Sequence, residues 1–176
     1  MVSANEFSHI VKLDEIGAGA STVRLSADLA ARNGLVARFQ LAALDNLEAE
    51  VAVSRDAKGV LAKGRIRATL SQYCVATGEP VSALLDEAME IRFITEPTVG
   101  ADVEIELKAD DCDTMFYDGQ GVDLGEAVAQ SLGLALDPYP RSPDAYERLK
   151  AVGVKAEDED ESLGALAGLR DLLTKK

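Results

Sequence analysis

Few residues in this chain have the type and spacing for covalent or acid–base chemistry. His9 is the only histidine, so any serine or cysteine nucleophile has a single imidazole to draw on, and no Gly-x-Ser-x-Gly elbow accompanies it. Beside Ser8 in an apolar-alternating stretch, it reads as a structural or incidental side chain. Cys74 and Cys112 stand 38 residues apart with no Cys-x-x-Cys pair, which leaves too few soft ligands for a tetrahedral zinc. They read as half-buried thiols; a small metal-binding module that joins the two is the alternative. Asp110, Asp111 and Asp113 flank Cys112. Clustered carboxylates can hold Mg²⁺ or Ca²⁺, or do acid–base work when their pKa values are driven apart. Their spacing is not that of a calcium loop and no Lys or Arg clamp stands near, so solvated loop acids are expected. A metal-dependent hydrolase or nuclease built on them is the rival reading. Gly17-x-Gly19 and Gly119-x-Gly121 lack the third glycine and the lysine of phosphate loops and read as turns. No catalytic residue, cofactor or bound metal is expected.

The remaining candidates are charges. From Arg55 to Arg67 stand Arg55, Lys58, Lys63, Arg65 and Arg67 against Asp56 alone. A basic hairpin can contact RNA phosphates even in an acidic protein, because local potential governs docking. Lys63, Arg65 and Arg67 are the candidate RNA contacts. Tyr73 is the one aromatic nearby, which does not make a base-stacking surface. Over all 176 residues, 31 acids oppose 18 bases for a net charge of -13. That excludes a polybasic RNA-coating protein and a basic membrane-surface peptide. The excess is local. Residues 1–83 carry nine acids and nine bases, whereas residues 84–126 carry thirteen acids against Arg92 and Lys108. Five further acids run consecutively from Glu157 to Glu161, and a block this dense repels itself into a solvated linker.

The elements that must position these groups follow from periodicity. Hydrophobic residues make up 47% of the chain, enough to bury the core of one domain. A first strand is expected within Glu6–Leu13 and a second at Thr22–Leu25. A helix should open near Ser26 and Asp28, with Asn33-Gly34 closing or kinking it. Leu47, Ala49, Val51 and Val53 alternate with polar or small residues, as do Val60, Ala62, Ile66, Ala68 and Leu70. A turn centred on Ala57-Lys58 folds these runs into a hairpin with Ala49 facing Ile66 and Val53 facing Ala62. The same register sets Glu50 opposite Arg65 and Glu48 opposite Arg67, neutralising the basic residues, and a slip of one residue would bury the charges. After the Thr77-Gly78-Glu79-Pro80 turn, Val81, Ala83, Leu85, Met89, Ile91 and Phe93 mark a third strand. Asp123 can cap a helix whose Glu126 returns to the cap amide, and Pro138 and Pro140 stop it. The expected fold is α+β: an antiparallel sheet of about five or six strands, a meander or partly open barrel, with one packed helix and a peripheral C-terminal helix. Its divisions are a domain over 1–150, an acidic linker over 151–162 and an amphipathic helix over 163–176. Without a leader or an apolar run near the ~20 residues of a membrane span, the chain is expected in a reducing cytoplasm.

Tyr73-Cys74-Val75-Ala76-Thr77-Gly78-Glu79-Pro80-Val81, Asp110-Asp111-Cys112-Asp113, Tyr117-Asp118-Gly119, Val122 through Val128, and Leu134 through Arg141 occur in that order. As an ordered set over about Phe7 to Leu173 they resemble the YceD family, bacterial and plastid proteins implicated in accumulation of large-subunit ribosomal RNA. The resemblance implies a non-enzymatic role in ribosome biogenesis. Because an acidic chain disfavours a long RNA track, the main partner is expected to be a basic ribosomal protein or another assembly factor engaged by the acidic region from Asp86 to Glu126, with large-subunit rRNA contacted directly or indirectly and the oligomeric state open. Candidate partner-binding residues on the shared motifs are Cys74, Thr77, Gly78, Glu79, Pro80, Asp110, Asp111, Asp113, Asp123, Pro138, Tyr139 and Arg141. Many relatives carry Cys-x-x-Cys where this chain has Cys74-Val75-Ala76-Thr77, so a zinc role in them does not carry over.

Overall fold

Leu47–Val53 and Val60–Leu70 have one mutual register that buries a whole apolar face, and the chain adopts it. A computed structural model of the protein describes residues 5–95, 113–117 and 120–154. In chain order its elements are β1 (Ile10–Lys12), β2 (Ser21–Ser26), α1 (Leu29–Phe39), β3 (Ala43–Asp56), β4 (Gly59–Tyr73), β5 (Pro80–Thr95), β6 (Asp113–Tyr117), β7 (Gly121–Asp123), α2 (Leu124–Ala135) and α3 (Ala145–Ala151). Between β3 and β4, Ala49 stands opposite Ile66, Val53 opposite Ala62, Glu50 opposite Arg65 and Glu48 opposite Arg67, as expected. The Asp56 carboxylate accepts the Lys58 N–H at 2.7 Å and closes the turn.

The larger sheet runs β2-β3-β4-β5-β6 and is open, so it is not a barrel. Its pairings are antiparallel through β5, but β6 lies parallel to β5, with Ile91 beside Asp113 and Thr95 beside Tyr117. The antiparallel expectation therefore fails at the last strand. Parallel neighbours need a crossover connection rather than a hairpin, and Asp113–Tyr117 lacks the alternation that marks the other strands. The first strand is also shorter than expected, since β1 keeps only three residues and pairs with β7 in a separate two-stranded sheet.

One face of the large sheet is covered by α1 on β3 and by α2 on β4 and β5. Leu35, Leu47, Val51, Ile66, Phe93, Leu124 and Leu132 are at most 1% exposed there. Each such side chain contributes about 1.5–3 kcal/mol, against about 0–1 kcal/mol for an exposed ion pair. The core therefore sets the fold, and the ion pairs trim its edges.

The two main helices begin where capping chemistry predicts. Asp28 accepts the Ala31 N–H at 2.8 Å at the start of α1. That helix continues through Asn33-Gly34 to Phe39 instead of closing there, and ends at Gln40 in the left-handed region (φ 53°). Gly34 serves a close approach: a Cβ there would lie 2.7 Å from Glu6 Cβ. The residue is thus a seat for the N-terminal segment and not a stop signal.

Asp123 caps α2 by accepting the Glu126 N–H at 3.1 Å. The same carboxylate takes the His9 N–H at 2.8 Å, the Ser8 hydroxyl at 2.7 Å and the Asn5 amide at 3.1 Å. The N-terminal segment is thereby strapped over the start of α2, where a Cβ on Gly125 would come within 2.7 Å of Phe7 O and His9 N. The expected reciprocal bond from Glu126 does not form. Its carboxylate instead receives both guanidinium nitrogens of Arg38, at 2.8 and 2.9 Å, while Arg38 also reaches Glu6 at 3.3 Å. A bidentate charged pair outcompetes a single bond to a backbone amide. The expected acidic linker over 151–162 is described only as far as Val154, and the expected terminal helix over 163–176 lies outside the described residues. The helix α3, unmarked by any strong apolar periodicity, falls across the expected boundary at 150.

Burial drives the Asp123 pKa upward, but the bonds from His9, Ser8, Glu126 and Asn5 outweigh it and leave the carboxyl below its ordinary value. A lowered carboxylate stabilises the fold above its unfolded pKa, and that contribution is lost as pH falls through the folded value. Replacing Asp123 with Ala removes a helix cap and the anchor of the strap together. We expect a loss of about 2–3 kcal/mol in urea unfolding at neutral pH. The deficit relative to the parent should shrink at acid pH, where Asp123 is protonated in both states.

Candidate partner-binding site

The turn after β4 places Cys74 at the end of a strand whose alternation has just run out, and local hydrogen bonds take over. Gly78 donates to the Cys74 carbonyl and Cys74 N–H to the Glu79 carbonyl, both at 2.8 Å. Gly78 adopts φ 73°, a conformation that glycine permits at no steric cost. The segment after α2 then docks against this turn. Val75 N–H donates to the Pro140 carbonyl at 2.9 Å, and the Gln72 side chain donates to the Asp137 carbonyl at 2.8 Å. Ser142 N–H donates to the Cys74 sulfur at 3.3 Å. Two motifs some sixty residues apart therefore form one corner of the protein.

Thr77, Gly78, Glu79, Pro80, Pro138, Tyr139 and Arg141 share that corner, with Tyr139 71% and Tyr73 52% exposed. Glu79 accepts Arg148 from α3 at 2.6 Å, and Arg148 also holds Asp144 at 2.7 Å. Neither Ser142 nor Arg148 stands out from sequence, because each has its role only across this contact. Pro140 is buried within the corner, whereas Pro138 and Arg141 are exposed.

Cys74 is 2% exposed, yet its thiol is lowered to about 6, first by the Thr77 hydroxyl, then by Ser142 N–H, with Ala76 and Thr77 N–H groups adding to the effect against the opposing influence of burial. Partial positive charge from several N–H donors replaces the solvation the sulfur loses. A thiol whose folded pKa lies below its unfolded value adds stability that is full above the unfolded pKa, about 8.5. That contribution is lost as pH falls to the folded value. With Cys112 replaced by Ser so that one thiol reports, ultraviolet thiolate absorbance should titrate with a midpoint near 6, and urea stability should rise between that pH and about 8.5. The Thr77→Val substitution should move the midpoint upward.

The basic residues occupy the uncovered face of the sheet, and their partners differ from those expected. Arg65 reaches Asp86 at 2.8 Å, Arg67 reaches the same carboxylate at 3.6 Å, and Lys63 reaches Glu90 at 2.8 Å, while Glu50 turns to Arg24 at 3.1 Å. β4 is flanked by two strands, and Asp86 of β5 stands directly opposite Arg67. The β3–β4 hairpin taken alone gives the correct register and the wrong acids. The face thus carries alternating columns: Arg24 on β2, Glu48 and Glu50 on β3, Lys63, Arg65 and Arg67 on β4, Asp86 and Glu90 on β5. A groove of about 320 Å³ over Arg24, Glu48, Glu50, Arg65 and Arg67 has walls of both signs. Asp86 lies below its ordinary pKa because Arg65 hydrogen-bonds it, with Arg67 adding to the effect.

Of the aspartate cluster, Asp113 opens β6 and is exposed, while Asp110, Asp111 and Cys112 lie outside the described residues. Among the described residues no group of three or more His, Cys, Asp or Glu could hold a metal ion. His9 is exposed, and its N–H and C=O serve Asp123 and Leu124. No described helix is long and apolar enough to cross a membrane.

The fold and these surfaces define an α+β protein with an open, charge-striped sheet and a corner assembled from two distant motifs. The chain belongs to the YceD family: the family model described as large ribosomal RNA subunit accumulation protein YceD matches residues 62–173. The matched span begins at Ala62 on β4 and not near Phe7, so β1–β3 and α1 lie before it. No curated protein and no solved structure matches the chain.

Proposed function

We propose that this protein is a non-enzymatic ribosome-assembly factor of the cytoplasm that supports accumulation of large-subunit rRNA by binding a basic ribosomal protein or another assembly factor. The observation that carries this reading is the family match over residues 62–173. Charge supports the choice of partner. Residues 84–126 hold thirteen acids against two bases, and a basic protein gains from that field while a phosphate backbone is repelled by it. The acidic region from Asp86 to Glu126, with Asp110, Asp111 and Asp113 at its centre, is the proposed contact. The exposed corner around Cys74, Thr77, Gly78, Glu79, Pro80, Pro138, Tyr139 and Arg141 extends it, and Asp123 acts there by holding α2 in place. RNA is a secondary contact through Lys63, Arg65 and Arg67, each of which must first exchange an acid for a phosphate.

Depletion from cells should lower large-subunit rRNA and assembled large subunits relative to the small subunit. Unchanged levels of both would overturn the reading. Replacing Asp110, Asp111 and Asp113 together with Asn should reduce recovery of basic ribosomal proteins by affinity purification, and undiminished recovery places the contact elsewhere. Reversing Arg65 and Arg67 to Glu should weaken RNA binding and lower the log–log salt slope by about one for each phosphate no longer neutralised. A slope that does not change removes these residues from the RNA surface.

A further inference from the structure

On the side facing β6, β5 is paired only from Ile91 to Thr95; from Val81 to Glu90 no described strand borders that edge. Antiparallel pairing to β4 uses alternate backbone groups, so the remaining N–H and C=O groups of this stretch point outward. Beside the same edge a groove of about 220 Å³ opens toward the second half of α2. Ile66, Met89 and Ile91 line its depth, at most 5% exposed, and Leu134 stands 79% exposed at its lip. Its charged lining is Glu87, Glu90 and Asp113, with no Lys, Arg or His among its lining residues.

Glu87 is the anomaly. It interrupts the series Val81, Ala83, Leu85, Met89, Ile91 and Phe93 on one face of β5 and stands opposite buried Ile66 in the register. Glu90 reaches Lys63, but neither Glu87 nor Asp113 forms an ion pair with a described residue. A carboxylate at a core-phase position, over an apolar groove without a cation, complements a cation from another molecule.

We propose that an extended basic peptide of a partner protein adds to the Val81–Glu90 edge as a strand, with a Lys or Arg facing Glu87. An apolar side chain two residues away enters the groove beside Leu134. Backbone bonds supply the pairing and side chains at alternate positions supply the selectivity. This rests on the reading of the protein as a factor that binds basic ribosomal or assembly proteins, and names the surface and the manner of binding. Charge rejects the other occupants. A second copy would set the Asp86, Glu87 and Glu90 columns of two chains against each other. An RNA strand would bring phosphates to an acidic rim.

The test uses the full chain and a labelled peptide of three Lys-Thr-Leu-Thr repeats, which presents lysine and leucine alternately on one face. Binding should be absent for the Glu-Thr-Leu-Thr counterpart. It should slow amide exchange at the outward-facing positions of Val81–Glu90, and weaken about fivefold to tenfold on Glu87→Lys. Leu134→Ser should weaken it by a similar factor. Both residues are exposed, and unfolding midpoints equal to the parent's establish that the variants are folded. Unchanged affinity in both variants, protection confined to another element, or outward amides already protected in the free chain would overturn the proposal. If that happens while basic ribosomal proteins still copurify and rRNA still depends on the chain, the groove alone falls. If depletion leaves rRNA intact and no basic protein copurifies, the functional reading falls, whatever the peptide does.

Discussion

Everything on the surface of this protein follows from the register of β3 on β4. Val51, Val53, Val60 and Ala62 are fully buried on one face of that pair, and the side-chain period of a strand leaves no intermediate setting. A slip by one residue would turn Glu48, Glu50, Arg65 and Arg67 into the core and expose those valines. Burying even one unpaired charge costs several kcal/mol, more than any surface contact could return. With the register held, β2 and β5 must add their own alternation to the same two faces, so charge accumulates in columns on the face that no helix covers. The ion pairs are a consequence of this arrangement. Asp86 serves both Arg65 and Arg67 because the strands fix where it stands, not because the pairs are strong.

A second constraint ties the sheet to its helices. The Asp123 carboxylate receives four hydrogen bonds, three from the N-terminal segment and one from the first turn of α2, and Arg38 bridges Glu6 to Glu126 across the same junction. The β1–β7 pair, the strap over α2 and the seat of Glu6 on Gly34 all converge there. Residues 5–9 precede the span shared with the family, yet they close over a helix inside it. The N-terminal part is thus bound into the same core as the matched part through named bonds.

Periodicity makes β3, β4 and β5 legible, and for β3 and β4 also the residues that face one another, because half-buried antiparallel strands write their burial directly into alternate positions. Capping chemistry marks both helix starts for the same local reason. What fails is non-local. Gly34 looks like a helix breaker because its reason for being glycine lies in Glu6. Glu126 reads as the partner of its own cap because Arg38 is 88 residues away. The acids that pair Arg65 and Arg67 belong to a strand outside the hairpin, and β6 is parallel where local patterning offers no sign of direction. The corner holding Cys74 is legible as two separate motifs, and it takes the Gln72–Asp137, Val75–Pro140 and Cys74–Ser142 bonds to make it one site. Glu87 does leave a signal: it breaks an apolar series of period two.

For the proposed strand addition, the face and the edge of β5 differ in what they offer an incoming chain. On the uncovered face, acids alternate with bases, and an incoming chain of either sign must displace an existing partner for little net gain. Beside the open edge, Glu87 and Asp113 form no ion pair with a described residue, and they border an apolar groove. Long-range attraction of a basic protein is therefore general to residues 84–126, while short-range fit is limited to a chain that can extend, pair its backbone and bury an apolar side chain within two residues of a cation. A phosphate backbone meets only the first of these fields, and meets it with the wrong sign. In the proposed function, a preference for basic protein over RNA rests on the pairing of the β4 bases with Asp86 and Glu90, which ties the proposed choice of partner to the register that fixes those charges.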